Sequence, residues 1–314
     1  MAVFQSLEHL PDFHRPVLTL GTFDGVHAGH RAILEAVKEA AHATGGESML
    51  ITFEPHPRKI LFPDQELKIL TPLEEKVQLI REAGIEHVVV APFTKEFSQL
   101  SASDYIREFL VRRFQPHVIV IGHDHHFGHD RKGNLDLLQE FAGPCDYTVS
   151  RIPEQLINDA AVSSTKIRKA LLAGNVAEAG LMLGRPYSLK GRVVHGKRLG
   201  ATIGFPTANL EPLCADQLLP ESGVYAVLAT VQGRQWGGMM NIGTRPTVTN
   251  EKSIHLEVHL FDFSAGIYGE VVAVSFIERL RSEQKFASVE ALVAQLKSDE
   301  TAAKNILRAA GAIS

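Results

Sequence analysis

Residues 21–30 read Gly-Thr-Phe-Asp-Gly-Val-His-Ala-Gly-His, and their types suit work on a phosphate. His27 and His30 can each donate to phosphate oxygens and stabilise charge that develops there. Gly21, Gly25 and Gly29 let the backbone turn sharply and approach a ligand closely. A helix starting near Gly29 would add free N–H groups and its positive dipole end, a natural anion site. The chemistry implied is attack on, or departure from, a nucleotide phosphate. A turn that merely joins a strand to a helix is the plainer reading of the same residues.

Five further clusters bear on the choice. Thr52-Phe53-Glu54-Pro55-His56-Pro57 holds His56 between two prolines, which stiffen its backbone. Gly122-His123-Asp124-His125-His126-Phe127-Gly128-His129 is rich enough in histidine to invite a zinc reading. Asp124 as a ligand-ordering carboxylate and Phe127 as an apolar wall is the reading we prefer there. Ser163-Ser164-Thr165-Lys166-Ile167-Arg168 puts hydroxyls at a helix start and a guanidinium one turn on, which suits an anion or, taken alone, an ordinary cap.

The last two clusters lie far downstream. In Pro206-Thr207-Ala208-Asn209, Thr207 and Asn209 point to one side of an extended backbone. A hydroxyl and an amide oxygen there suit a Mg²⁺ ion carrying nucleotide phosphates. In Ser253-Ile254-His255-Leu256-Glu257-Val258-His259-Leu260, period-two alternation sets Glu257 on one face with His255 and His259. That face is either simply solvated or places Glu257 as a general base for an alcohol.

Two kinds of scaffold are needed to hold these groups. Strand-like runs at 16–21, 48–53, 87–91, 117–122 and 146–151 alternate with helix-like segments at 29–43, 72–83 and 103–114. This alternation predicts a parallel sheet with helices on its faces, with ligands beyond the carboxyl ends of the strands. From about Lys190 the texture changes to Val-, Thr- and Gly-rich segments at 189–195, 223–231, 235–241, 255–262 and 270–277. They predict a small antiparallel barrel, followed by helices at 287–297 and 299–310. Gly184-Arg185-Pro186 marks the division, giving domains 1–184 and 185–314.

The chain of 314 residues has 32 basic and 36 acidic side chains, so no basic field argues for nucleic acid. The two cysteines suggest neither a disulfide framework nor a metal site, as in a reducing cytoplasm. No basic-plus-apolar leader is present and no apolar run reaches ~18 residues, which predicts neither secretion nor a membrane partner. Nothing in the sequence specifies an oligomeric state.

The first half resembles the FMN adenylyltransferase module of bacterial bifunctional riboflavin kinase/FAD synthetases, a branch of the HxGH nucleotidyltransferases. GTFDGVHAGH, TFEPHP, GHDHHFG and SSTKIR occur in the family's order. The second half resembles the family's riboflavin kinase module through GRVVHG, GFPTANL, GVYA, NIGTRPT, EVHLFDF, YGE and LRSEQKF. The resemblance implies an N-terminal Rossmann-like domain with a parallel sheet, and a C-terminal antiparallel β-barrel with a terminal helix. It implies ATP, riboflavin and FMN as substrates, FAD as product and Mg²⁺ as cofactor.

Residue by residue, His27 and His30 would stabilise the transition state, and Gly21, Phe23, Asp24 and Gly29 would belong to the ATP site. Ser164, Thr165 and Arg168 would hold the departing β- and γ-phosphates. Asp124 and Phe127 would shape the nucleotide and flavin pocket. Thr207 and Asn209 would bind MgATP, Glu257 would activate the ribityl 5′-hydroxyl, and Arg279 and Arg281 would recognise the flavin. The sequence departs from the family at His125, where Phe is usual, and at Ala201, where Arg is common; Lys197 or Arg198 could supply the missing flap charge. Two rival readings are a chain with one silent module and a flavin-binding regulator without turnover. A mere binder needs neither a base nor a phosphate cradle, which counts against the second.

Overall fold

The computed structural model describes residues 2–122, 125–152, 162–196, 199–246 and 252–313. They form two compact units, Met1–Ser164 and Thr165–Ser314. This division falls before the 184/185 boundary read from the sequence, because residues 165–183 gather with the later strands.

The first unit is a six-stranded sheet, with β1 Ala2–Phe4, β2 Val17–Leu20, β3 Ser48–Glu54, β4 His87–Pro92, β5 Val118–Ile121 and β6 Thr148–Arg151. Its order is β1-β4-β3-β2-β5-β6, and every neighbouring pair is parallel. The central strands are apolar at nearly every position because helices cover both faces; Leu18, Met49, Leu50, Ile51, Val88 and Ile119 are fully buried. The chain leaves β2 towards β3 on one side and later returns to β5 on the other. The switch point is therefore the crevice beyond the carboxyl ends of β2 and β5, where an open α/β sheet binds its ligand.

The segment 103–114, expected to be an α-helix, runs through a π-helical stretch from Tyr105 to Val111. Tyr105 and Phe109 are driven into an aromatic cluster with Phe97 and Phe127, a tertiary demand that outweighs local helical preference.

The second unit is a closed antiparallel barrel in the order β10-β11-β8-β7-β12-β9. Its strands are β7 Tyr187–Val194, β8 Ala208–Pro212, β9 Gly223–Val231, β10 Arg234–Pro246, β11 Lys252–Leu260 and β12 Val271–Arg281. One uninterrupted helix, Val289–Ala309, stands where two were expected. Its Ala303 and Leu307 pack on Val224, Ala226, Leu228 and Met239 of the barrel. Gly237 permits this approach, since a Cβ there would meet Ile313 and Leu307 at 3.0 and 3.1 Å.

Candidate functional site

The turn after β2 is held from several directions. Asp24 is buried, and its carboxylate accepts the backbone N–H groups of Leu70 at 2.9 Å and Thr71 at 3.1 Å. Its backbone carbonyl accepts the Ser164 hydroxyl at 2.8 Å. Asp24 thus ties the turn to the 70–71 segment and to Ser164. Phe23 and Val26 are both buried with φ of +47° and +40°, a conformation unfavourable for a side-chain-bearing residue and most of all for a β-branched one. The strain lies directly before the histidine pair.

His27 caps the helix Ala28–Thr44, its Nδ1 accepting the His30 backbone N–H at 3.3 Å. With Nδ1 occupied as an acceptor, the neutral ring carries its proton on Nε2. The two imidazoles stack with centroids 3.7 Å apart, and the Phe23 ring lies 4.6 Å beyond His30. His30 is half-buried, and its Nδ1 is enclosed without a hydrogen-bond partner. Burial first, then His27 and Lys76, hold the His30 imidazole well below the ordinary value of 6.5. Gly29 is buried in the first turn of this helix.

Phe127 is buried and stacks on Tyr105 at 5.0 Å, with the His125 ring 5.9 Å away on an angle. His56 caps the short helix Pro57–Leu61 by accepting the Arg58 N–H at 3.1 Å. Thr165 and Arg168 continue the helix that Ser164 opens and belong to the second unit, with Thr165 exposed and Arg168 half-buried. Asp124, Lys197 and Arg198 lie outside the described residues, and Ala201 falls on the short helix Leu199–Thr202. Among the described residues, no group of three His, Cys, Asp or Glu side chains converges as a metal-ligand set.

The second unit holds a cavity of about 280 Å³. Its polar lining includes Thr207, Asn209, Asn241, Glu257, Arg281 and Glu283, and its apolar lining includes Val224, Met239, Phe286 and Leu296. Asn241 of β10, Glu257 of β11 and Asn209 of β8 form one cross-strand row. Leu256, Val258 and Leu260 are buried on the opposite face, as the period-two pattern requires. Gly196 stands where any Cβ would overlap the Asn209 amide, and a Cβ at Gly200 would lie 3.4 Å from the Thr207 hydroxyl.

Arg281 lines the cavity, while Arg279 is absent from the lining. The Arg281 guanidinium grips the buried Asp299 carboxylate through Nε at 3.0 Å and Nη2 at 2.8 Å, and Gln295 donates to the same carboxylate at 2.9 Å. Arg279 instead donates to the Ser222 carbonyl at 2.6 Å and to Ala173 O at 3.4 Å. Bulges between Phe276 and Glu278 and between Arg279 and Arg281 break the alternation that would have paired the two arginines.

Sequence reasoning missed Asn241, Glu283, Asp299 and Lys76. Asn241 follows from register, and Asp299 is one helical acid among many until Arg281 meets it. Lys76 carries a readable signal only in being a lysine on the inward stripe of the helix Leu73–Glu82.

Two family models match the chain, FAD synthetase over residues 10–166 and riboflavin kinase over residues 183–307. Proteins described as bifunctional riboflavin kinase/FMN adenylyltransferase are similar over most of its length. The one from Listeria monocytogenes is 38% identical over 90% of both chains, and that from Pseudomonas fluorescens is 37% identical over 97% of both. The one from Escherichia coli K12 is 39% identical, covering 92% of this chain and 91% of its own. A solved structure described as a macrolide-efflux protein from Streptococcus pneumoniae is 33% identical, with a TM-score of 0.87 over 97% of this chain and 98% of that one. Among the described residues no helix is long and apolar enough to cross a membrane. With both modules present in this order and matched end to end by such relatives, the chain belongs to the bifunctional riboflavin kinase/FMN adenylyltransferase family, making FMN from riboflavin and ATP and then FAD from FMN and a second ATP.

Proposed function

We propose that riboflavin is phosphorylated in the barrel cavity and that FMN is adenylylated at the turn 21–30. The observation that carries the first half is the row Asn209–Glu257–Asn241 on the cavity wall, with Thr207 beside it. There the Glu257 carboxylate accepts the proton of the ribityl 5′-hydroxyl as its oxygen attacks the γ-phosphorus of ATP and ADP departs. Arg281, fixed by Asp299, and the apolar wall of Val224, Met239 and Phe286 are positioned to hold the flavin.

The donors at this end suit Mg²⁺: a hydroxyl, an amide oxygen and a carboxylate are hard oxygen ligands, and the glycine at 196 lets the Asn209 amide lie where a side chain would otherwise intrude. Thr207 and Asn209 are the residues that would hold it. When bound, the ion neutralises charge on the transferred phosphoryl group.

At the first unit, a phosphate oxygen of FMN attacks the α-phosphorus of ATP and pyrophosphate leaves. His27 and His30 donate to the phosphate oxygens as charge develops, and positioning supplies the remainder of the catalysis. Ser164 fixes the start of the helix for the departing phosphates; Thr165 and Arg168 are assigned to them on family likeness alone. Arg279 joins the flavin assignment on the same likeness, and its bonds to two backbone carbonyls favour a bracing role. A reducing cytoplasm suits the two free cysteines, Cys145 and Cys214, one in each unit.

A chromatographic time course with riboflavin, excess ATP and Mg²⁺ tests the assignment in site-directed variants. Loss of only the first step in a cavity variant and only the second in a histidine variant is expected. Both steps failing in either would overturn it.

A further inference from the structure

His259 lies two residues beyond Glu257 on β11 and lines the same cavity, yet no step of either reaction uses it. The ladder beside it is short. Leu256 faces Leu210, Glu257 faces Asn209 and Val258 faces Ala208, and there the β8–β11 pairing ends. On its other side β11 stays paired with β10 as far as Leu260. The residues that would continue β8 past Ala208 are Thr207 and Pro206, and Pro206 has no N–H to give a ladder. The His259 side chain takes over where the backbone bonds stop. Its Nδ1 lies 2.7 Å from the Pro206 carbonyl oxygen. A carbonyl only accepts, so Nδ1 carries a proton and donates it, in the neutral and the charged imidazole alike.

Packing holds the ring in this place. Buried Phe205 meets it edge-on at 5.4 Å and buried Phe261 at 5.8 Å. The turn it grips is also closed from within, because the Phe205 N–H donates to the Gly200 carbonyl at 2.9 Å. One freedom is left to the chain at this point. The proline ring locks φ of Pro206, so ψ alone decides where its carbonyl points and how Thr207 leaves it. The bond from His259 fixes that angle. The strand that carries Glu257 therefore also sets the direction of Thr207.

We propose that His259 is a positioning residue for the nucleotide in riboflavin phosphorylation: by holding the Pro206 carbonyl it aims the Thr207 hydroxyl at the ATP phosphates. It acts through Thr207 and not on the reacting atoms. The proposal rests on the assignment of that reaction to the barrel cavity, with Thr207 at the nucleotide and Glu257 as base. One strand then keeps the base and the nucleotide turn in register, without a ladder bond to Thr207.

The test uses the full chain with His259→Leu, which removes the donor, and His259→Asn, whose amide nitrogen can take the place of Nδ1. Calorimetric titration with ADP and Mg²⁺ reads the nucleotide side, the barrel isotherm being the one that Thr207→Ala weakens. Quenching of riboflavin fluorescence reads the flavin side. His259→Leu is expected to bind ADP about tenfold more weakly and to raise KM for ATP in FMN formation by a similar factor, as for the loss of one hydrogen bond. Riboflavin affinity and FAD formation from supplied FMN should keep their parent values, and His259→Asn should recover most of the ADP affinity. Should His259→Leu fail to fold, His259→Phe fills the space between Phe205 and Phe261 without a donor. Unchanged ADP affinity in the donor-free variant, an equal loss of riboflavin affinity, or no recovery in His259→Asn would overturn the role of His259. Undiminished FMN formation in Glu257→Gln would overturn the underlying assignment instead, whatever the His259 variants do.

Discussion

Glu257 and Asn209 stand directly opposite one another across the β8–β11 ladder. Residues so paired share a face with their Cβ atoms about 4.5–5.5 Å apart. The residue assigned to deprotonate the alcohol is therefore held at a fixed distance from one assigned to the nucleotide. Glu257→Gln keeps the shape and removes the base. FMN formation from riboflavin should fall by about 10²- to 10⁴-fold, while FAD formation from supplied FMN stays at the parent rate, both read by chromatography.

The converse holds for the histidine stack. His30→Ala removes the ring lying between His27 and Phe23. FAD formation should fall by about 10²- to 10³-fold with riboflavin phosphorylation unchanged. Equal loss of both steps would mean the rings act through the general fold.

Gly196→Ala tests the placement of Asn209 without replacing a functional side chain. The new methyl would occupy the position of the Asn209 amide and force it aside. The expected result is a raised KM for ATP in FMN formation, with the denaturation midpoint of the protein little changed.

Asp299→Ala leaves the Arg281 guanidinium, mostly enclosed by protein, without its carboxylate. Breaking one side of such a pair costs about 3 kcal/mol, and urea unfolding of the second unit should shift accordingly. A loss below about 0.5 kcal/mol would place the pair among exposed bridges that contribute little.

Acid should weaken the first unit through His30. Its imidazole is held below 6.5 in the folded protein, so the unfolded chain binds more protons in the interval between the two values. The stability this histidine leaves intact is full above about pH 6.5 and is lost as pH falls towards the folded midpoint. Urea unfolding across this range should show the slope in the parent and a reduced slope in His30→Gln.

Much of this architecture was legible in the chain. Strand positions such as Val17–Leu20 and Ser48–Glu54 announced themselves as apolar runs, and β11 by strict alternation, because burial of one or both sheet faces dictates those patterns. Glu257 and Asn209 were readable because strand geometry fixes which side chains share a face. Asp24 was expected at the ATP site, yet its carboxylate is engaged by Leu70 and Thr71, residues 46 and 47 positions away. Contacts at that separation leave no periodic trace. Arg279 was inseparable from Arg281 until the bulges turned them to different partners. The π-helical stretch was hidden for a similar reason, since it answers to aromatic packing from elsewhere in the fold.

The helix Val289–Ala309 supplies Leu292 and Leu296 to the cavity wall and Asp299 to Arg281. These residues follow every barrel strand in the chain, whereas every strand of the parallel sheet is complete by Arg151. Domains fold as units as they are synthesised, the earlier one first. The order of birth thus runs against the order proposed for the reaction: the unit assigned the use of FMN can form before the barrel strands are made, and the cavity assigned the making of FMN closes only once the helix after them has followed.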